Sequence, residues 1–322
     1  MMWQTVVNID KPDFSLDYHS RLMLVGSCFA ENIGKKLTEA RFSVDCNPCG
    51  IVYNPESVAQ VLWRLIEQRE VTADELVWHD GKWISWGHHG SYSAPGREVC
   101  LEKMNARIRR GAEQLRKADV LLITFGTSWV YRYLPSGCVV ANCHRFPESD
   151  FERFCLSVPE VVGLYDRLLD RLKQINPGVR VLFTVSPIRH WKDGAHENQV
   201  SKSILLLAID ELVRRRNRVC YFPSYEIVLD ELRDYRFYAE DMLHISEAAV
   251  DYIWSRFRDT FFSDDALQVM RQVEKINKGI KHRPFDPESE TYLAFCRKLQ
   301  EELNRLGDRY PLLNREMQIA GL

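Results

Sequence analysis

Residues 22–37, LMLVGSCFAENIGKKL, lead from a buried strand into a helix through one tight turn. The apolar run 22–25 has the length of a strand and stops at Gly26. Apolar residues then recur four apart, as on one face of a helix: Phe29, Ile33 and Leu37. A strand that turns directly into a helix is the first half of a β–α unit, so this stretch indicates an α/β fold.

The same alternation of strand and helix returns along the chain. We predict further strands at residues 42–44, 120–125, 179–185 and 219–222. Helices are predicted at residues 56–69, 104–117, 159–175, 200–216 and 246–262. Together they predict a three-layer α/β/α sandwich around a parallel sheet of about five strands. In such sheets the functional site lies beyond the carboxyl ends of the strands.

Residues 72–96 break this pattern and predict an inserted β-hairpin flap. Tryptophans alternate there with glycine and proline turn signals. The rings expected to form the flap's small core, or alternatively a substrate platform, are Trp78, Trp83, Trp86, His88 and His89. Residues 264–322 predict a helical extension packed on the same domain, which leaves residues 1–263 as the catalytic domain.

Composition excludes several classes of protein. Hydrophobic residues make up 45% of the 322 residues and charged residues 27%, which is typical of a globular chain. The 43 basic and 45 acidic residues leave a charge of −2, so no basic excess predicts a nucleic-acid partner. No apolar stretch reaches the roughly 18–20 residues of a membrane span, and the N-terminus has no signal-peptide pattern. Nine cysteines, an odd number, predict reduced thiols in a cytoplasmic protein.

Three short stretches of the sequence carry residues suited to chemistry. Cys28 begins the first helix, where unpaired N–H groups and the helix dipole lower a thiol's pKa and supply oxyanion donors. The alternative is that Cys28 is a small buried side chain beside a turn. Asp241 and His244 lie three apart in a loop, so the carboxylate can orient an imidazole base. Gly126 and Ser128 follow the strand at 120–125, where Ser128 is placed to donate to an oxyanion.

The stretch GSCFA at residues 26–30 resembles the signature of the GSCFA-domain proteins. These are a bacterial branch of the SGNH (GDSL-like) hydrolase superfamily. The resemblance runs from about residue 20 to residue 261 and includes other motifs in order: GIVYNP at 50–55, FGTSWVY at 125–131, NCHRFP at 142–147, TVSPIRHW at 184–191, FPSYEI at 222–227 and DMLHIS at 241–246. A further match is the helix start with Asn198 and Ser201-Lys202-Ser203. The resemblance implies an SGNH-type sheet and acyl-ester chemistry.

The resemblance also implies a catalytic triad. When the superfamily's Gly-Asp-Ser block is laid on residues 26–28 without a gap, the nucleophilic serine falls on Cys28 and Ser27 replaces the aspartate. A register shift of one residue would make Ser27 the nucleophile instead. The superfamily's Asp-x-x-His block matches Asp241 and His244 completely. His244 is therefore implied to be the base and Asp241 its orienting partner.

The implied oxyanion hole departs from the superfamily pattern. The second-block glycine matches Gly50, whereas the Gly-x-Asn-Asp block keeps only Gly126, with Ser128 as a substitute donor. Together with the N–H of Cys28 these residues are expected to hold the oxyanion. Other positions in the matching motifs are expected either to bind an anionic or sugar-like substrate or to make ordinary loop contacts: Tyr53, Asn54, His144, Arg189, His190 and Lys202.

The function implied is hydrolysis of a carbohydrate-like or other small-molecule ester through a covalent acyl-enzyme, without a cofactor. One alternative is acyl transfer from a thioester such as acetyl-CoA, since thiols exchange well with thioesters. Another is a catalytically lapsed fold that only binds a ligand, because the third-block Asn and Asp are missing. No nucleic-acid or membrane partner is expected. A rival use of the cysteines is a zinc site of Cys46, Cys49, Cys138, Cys143 and His144.

Overall fold

Strands and helices alternate through most of the chain in the computed structural model, which describes residues 5–314. Residues 1–4 and 315–322, the outer ends of the two predicted regions, lie outside the described residues. The strands are β1 (Arg21–Gly26), β2 (Ser43–Cys46), β3 (Leu76–His79), β4 (Lys82–Ser85), β5 (Val120–Phe125), β6 (Trp129–Tyr133), β7 (Cys138–Val140), β8 (Phe151–Cys155), β9 (Arg180–Val185) and β10 (Val219–Phe222). The helices are α1 (Cys28–Glu39), α2 (Pro55–Glu67), α3 (Arg97–Lys117), α4 (Val158–Ile175), α5 (Gly194–Arg215), α6 (Ser224–Glu226), α7 (Glu247–Phe261), α8 (Asp264–Lys281) and α9 (Glu290–Arg309).

The central sheet is parallel throughout and has the strand order β2–β1–β5–β9–β10. Strand β1 lies between β2 and β5, so the chain first builds towards one edge of the sheet and then towards the other. That reversal opens a crevice at the carboxyl ends of β1 and β5, where ligands bind in open α/β sheets. The predicted fold class, a three-layer α/β/α sandwich with five parallel strands, is confirmed.

The strands of the sheet contribute to two separate cores, because successive side chains of a strand point to opposite faces. On β1, Met23 and Val25 belong to the core beneath helices α2 to α5. Leu22 and Leu24 belong to the core on the other face, beneath α1, α7, α8 and α9. Burial on both faces is the physical reason that β1 is a continuous apolar run rather than an alternating one.

The inserted flap is larger than the sequence predicted. The hairpin β3–β4 lies within residues 72–96, as expected. Residues 129–155, where no strand was predicted, form a second antiparallel sheet with the order β7–β6–β8. Trp86 joins the two parts, because its carbonyl accepts the N–H of Ala141 at 2.8 Å and its ring lies 4.5 Å from that of Tyr133. We call residues 72–96 and 129–155 together the flap.

The flap lies at the carboxyl edge of the sheet. The N–H of His89 donates to the carbonyl of Cys49 at 2.9 Å, in the loop that follows β2. Strand β6 begins just after β5 ends. Of the rings predicted to form its core, His88 is buried and burial lowers its pKa to about 3. His89 and Trp78 were assigned to that core wrongly, since both side chains are exposed.

Helices α8 and α9 pack on the same face as α1 and α7. Met270 and Val273 of α8 and Leu303 of α9 lie in one apolar cluster with Phe29 of α1. Across residues 5–314, no helix is long and apolar enough to cross a membrane. None of the nine cysteines, all of which lie within residues 5–314, forms a disulfide.

Candidate active site

The turn at Gly26, Ser27 and Cys28 lies at the carboxyl end of β1. Gly26 has φ 148°, and a Cβ at this position would overlap the carbonyl of Thr124 on β5, so only glycine permits this approach. Ser27 is buried and caps α1, because its Oγ accepts the N–H of Phe29 at 3.3 Å. Cys28 is the first residue of the helix and is half-buried. The predicted strand, turn and helix are present, and the hydroxyl of Ser27 is engaged in the cap.

The electrostatic environment of Cys28 differs from the expectation. Burial raises the pKa of its thiol, and this effect outweighs the backbone N–H groups of Cys28 and Phe29 and the charge of Lys202, which lower it. The N–H groups at the helix N-terminus act in the expected direction, but burial outweighs them, so the thiolate is not favoured in the resting protein. At neutral pH Cys28 is a thiol, and a base must remove its proton before it can act as a nucleophile.

Asp241 and His244 form a hydrogen-bonded pair in the loop before α7. The Nδ1 of His244 lies 2.5 Å from one carboxylate oxygen of Asp241. The other oxygen accepts the N–H groups of Leu243 and His244, both at 2.9 Å. The hydrogen bond from His244 lowers the pKa of Asp241 to about 2, so the carboxylate is ionised at neutral pH. A proton on Nδ1 leaves Nε2 of His244 as an acceptor.

The approach of His244 to the nucleophile stays a prediction. Within residues 5–314 no hydrogen bond joins His244 to Cys28 or Ser27, and both members of the Asp241–His244 pair are exposed. Electrostatic interaction with His244 is one of the smaller effects that lower the pKa of His190. His190 is the residue after Arg189 in the loop that follows β9.

Tyr53, Gly126 and His190 meet at the carboxyl end of β5. A Cβ at Gly126 would lie 3.0 Å from Cβ of Tyr53 and 3.1 Å from Nε2 of His190, so this position has no room for a side chain. The N–H of His190 donates to Oδ1 of Asn198 at 2.9 Å. Burial, aided by the charge of Lys202, lowers the pKa of His190 to about 4. His190 is therefore a neutral imidazole that can donate or accept a hydrogen bond at this edge.

Lys202 is completely buried at the same edge of the sheet. Its Nζ donates to the carbonyl of Gly126 at 2.5 Å and to the carbonyl of Ser186 at 2.6 Å, the residues that follow β5 and β9. Burial lowers the pKa of Lys202 to about 7, against the opposing influence of Cys28. Lys202 thus joins the ends of two strands and places a titratable nitrogen near Cys28, rather than contacting solvent.

Three predicted oxyanion donors already have partners. The N–H of Gly50 donates to the carbonyl of Asn47 at 2.9 Å, and the N–H of Gly126 donates to the carbonyl of Tyr53 at 2.6 Å. The Oγ of buried Ser128 lies 3.0 Å from Oγ of Ser201. In this conformation these three groups are occupied by contacts within the protein, and their role as oxyanion donors stays a prediction.

Asn47 is a candidate that the sequence analysis missed. It directly follows β2, and its Oδ1 accepts the N–H of Gly26 at 2.9 Å, so the side chain reaches from one strand end to the next. Its Nδ2 is buried and has no hydrogen-bond partner among the described residues. A buried amide N–H without an acceptor is costly and needs an explanation, such as a ligand that the site receives.

The other predicted substrate residues fall into two groups. Asn54 is buried and caps α2, because its Oδ1 accepts the N–H of Ser57 at 2.7 Å. His144 lies in the flap, where its Nε2 is 2.8 Å from the carbonyl of Ser85. These two therefore make structural contacts. Arg189, by contrast, has no ion pair or hydrogen bond within residues 5–314, and its Nε is buried.

The rival zinc site finds no support. Within the part of the chain that the structure describes, no three His, Cys, Asp or Glu side chains gather as metal ligands. Cys49 lies in the apolar core instead, and burial raises its pKa to about 12.

Comparison with known proteins identifies the family. The chain belongs to the GSCFA family, which it matches over residues 21–257, and residues 273–322 match the C-terminal domain of GSCFA domain proteins. No curated protein matches the chain.

Solved structures to which the chain is similar include three carbohydrate esterases. A family 3 carbohydrate esterase from Clostridium thermocellum is 11% identical, with 78% of this chain and 97% of that chain covered and a TM-score of 0.36. One of family 3 from Talaromyces cellulolyticus is 10% identical over 78% and 98% of the two chains, with a TM-score of 0.36. A family two carbohydrate esterase from Clostridium thermocellum in complex with cellohexaose is 11% identical over 78% and 65%, with a TM-score of 0.39.

Proposed function

We propose that the protein is an acyl esterase that uses Cys28 as its nucleophile, His244 as its base and Asp241 to orient the base. The observation that carries this proposal is that Ser27 and Cys28 make different contacts at the end of β1. Ser27 is buried and its hydroxyl caps α1, whereas Cys28 is half-buried at the helix N-terminus. Of these two side chains, only the hydroxyl takes part in the helix cap. The thiol lies at the strand end where α/β enzymes have their active sites.

The proposed reaction proceeds through a thioester. Nε2 of His244 accepts the proton of Cys28 as the sulfur attacks the ester carbonyl, and the same proton then goes to the leaving alcohol. Water, activated by His244, hydrolyses the acyl-enzyme and restores the thiol. Asp241 is ionised and already hydrogen-bonded to Nδ1, so it keeps Nε2 free and stabilises the imidazolium.

The oxyanion donors of this proposal are the N–H of Cys28 and Nδ2 of Asn47. The first N–H groups of a helix have no acceptor within the helix. Nδ2 of Asn47 has no acceptor among the described residues, and its Oδ1 is held by Gly26 next to the nucleophile. An amide held in this way is preorganised for a developing negative charge. Asn47 would thus supply the side-chain donor that the third motif lacks.

Substrate class and the fate of the acyl group belong to the proposal as well. The superfamily resemblance favours an acyl group on a carbohydrate-like or other small hydroxyl compound. A thiol nucleophile and a flap over the site also suit acyl transfer from a thioester, since a covered site disfavours water as the acceptor. Release of the acyl group that depends on an added alcohol would establish the transferase, whereas release into water alone would establish the esterase.

Steady-state hydrolysis of 4-nitrophenyl acetate by three variants tests the nucleophile. Cys28→Ala should lose turnover by about 10³-fold or more, because it removes the covalent step. Ser27→Ala should keep turnover and lose roughly 1 kcal/mol of stability, as expected for a helix cap. Cys143→Ala removes another half-buried thiol and serves as the matched control. A fully active Cys28→Ala with an inactive Ser27→Ala would overturn the assignment.

A protein that only binds its ligand would behave differently. Its thiols would react with a chloroacetamide probe at the slow rates set by their burial, and Cys28 would not differ from Cys143. Preferential labelling of Cys28 that His244→Ala abolishes would support the enzyme instead. Such a result would show that His244 acts as a base for the thiol.

A further inference from the structure

A pocket beside the Asp241–His244 pair is lined by an unpaired cation and by aromatic rings. It has a volume of about 460 Å³ and lies between the loop after β9, the turn after α6 and the loop before α7. Arg189, Trp191, Tyr235 and Asp241 are among the residues that line it. Trp191 and Tyr235 are large exposed side chains, 51% and 76% exposed respectively.

Among the charged side chains that line this pocket, Arg189 alone has no hydrogen-bond or ion-pair partner among the described residues. Arg233 forms an ion pair with Asp230 at 2.8 Å, and Asp234 pairs with Arg236 at 3.0 Å. Asp241 is held by His244, as described above. Arg189 has no such partner among the described residues. The lining holds two arginines and the two carboxylates of Asp234 and Asp241, so a preference for an anion depends on direct contact with Arg189 and not on a net positive charge.

The side chain of Arg189 lies beside Trp191, but its hydrogen-bond donors have no acceptor among the described residues. Its guanidinium lies 5.6 Å from the ring centre of Trp191, and its Nε is buried with no hydrogen-bond partner among residues 5–314. Guanidinium groups match carboxylate and phosphate oxygens in geometry as well as in charge. An anion in the pocket would pair with the guanidinium charge and accept hydrogen bonds from its terminal N–H groups.

We propose that this pocket binds an anionic group, a carboxylate or a phosphate, on a ligand whose ring or acyl chain lies against Trp191 and Tyr235. The substrate of the proposed esterase is then an anionic ester rather than a neutral one. This role as a substrate subsite rests on the proposed function, since the pocket adjoins Asp241. Binding of the anion depends only on Arg189 and the rings.

Equilibrium binding by calorimetry tests the proposal without requiring turnover. The probes are 4-acetamidobenzoate, the neutral 4-acetamidobenzamide and 4-acetamidophenyl phosphate, none of which contains a carboxylic ester. The carboxylate should bind about tenfold or more tightly than the neutral benzamide, both to the native chain and to Cys28→Ala. Comparison of the two anions shows which of them the pocket prefers.

Two arginine variants locate the charge that is responsible. Arg189→Gln should remove the preference for the anion and leave binding of the neutral benzamide unchanged. Arg233→Gln, whose arginine lines the same pocket but is paired with Asp230, should keep the preference. Equal binding of the carboxylate and the benzamide to the native chain, or a preference that survives in Arg189→Gln, would overturn the proposal.

The result of these binding experiments does not depend on which residue is the nucleophile or on whether the protein hydrolyses esters. Anion binding that depends on Arg189 in a protein that hydrolyses no ester would uphold the pocket and refute the esterase. Hydrolysis of neutral and anionic aryl acetates at equal rates, together with equal binding of the two probes, would do the reverse.

Discussion

Replacement of the buried Lys202 by methionine should change how the stability of the protein depends on pH. In the folded protein Lys202 is fully buried and its pKa is about 7, compared with 10.5 for an ordinary lysine. Below pH 7 Lys202 is charged in both the folded and the unfolded state, and burial of this charge lowers the free energy of unfolding. Above pH 10.5 the amine is neutral in both states and that cost is absent.

The size of the effect follows from the two pKa values. Each pKa unit is equivalent to about 1.4 kcal/mol, so the full cost of burying the charge of Lys202 is about 5 kcal/mol. Between pH 7 and 10.5 the unfolded chain binds one proton more than the folded chain, and the free energy of unfolding therefore rises with pH. From pH 7 to pH 9.5 Lys202 should contribute an increase of about 3 kcal/mol.

Urea denaturation at several pH values measures this contribution. The difference in the free energy of unfolding between the native chain and Lys202→Met should grow in favour of the native chain by about 3 kcal/mol from pH 7 to pH 9.5. Taking the difference cancels the titration of the cysteines and tyrosines that do not interact with Lys202. The constant cost of leaving the carbonyls of Gly126 and Ser186 without a donor does not affect how this difference changes with pH. Lys192→Met, at an exposed lysine nearby, should behave like the native chain. Parallel curves for the native chain and Lys202→Met would refute the reasoning.

Three further substitutions test individual parts of the site. Asn47→Asp keeps the oxygen that Gly26 contacts but removes the amide donor, so kcat for 4-nitrophenyl acetate should fall about 10²-fold or more; Asn54→Asp, which preserves a helix cap, should leave kcat unchanged. Asp241→Asn should lower kcat by several orders of magnitude with folding intact, because the amide cannot hold His244 in the required tautomer; an unchanged kcat would remove Asp241 from the triad. Gly26→Ala should destabilise the protein by roughly 3 kcal/mol or more in urea denaturation, since its Cβ would overlap a backbone carbonyl.

The fold was predictable because its strands are buried on both faces and therefore appear as short apolar runs. Residues 120–125 are strand β5 within the predicted bounds. The second sheet of the flap was missed because β6, WVYRY, lies directly after a motif interpreted as a turn. Its short hairpin with β7 across residues 134–137, LPSG, is a local signal that the sequence analysis did not use, whereas its pairing with β8 joins strands about twenty residues apart.

The positions of the site differ in how far the sequence alone could place them. Gly26, Cys28 and the Asp241–His244 pair follow from local patterns and from the family resemblance. The contact of Asn47 with Gly26 joins the ends of two strands and has no signal in either segment. Lys202, however, could have been recognised as buried. It is three residues before Leu205 and ten before Leu212, on the apolar face of α5, which begins at Gly194 rather than at residue 200.

Peptide mapping of the acyl-enzyme tests the central claim about Cys28 most directly. Trypsin cuts after Arg21 and Lys35, so one peptide, residues 22–35, contains both Ser27 and Cys28. After reaction with 4-nitrophenyl acetate and an acid quench, fragmentation of this peptide should place the acetyl group on the sulfur of Cys28, and hydroxylamine should release it. The peptide from Cys28→Ala should remain unmodified. An acetyl group on Ser27, or an unmodified native peptide from a protein that turns over the ester, would contradict the account.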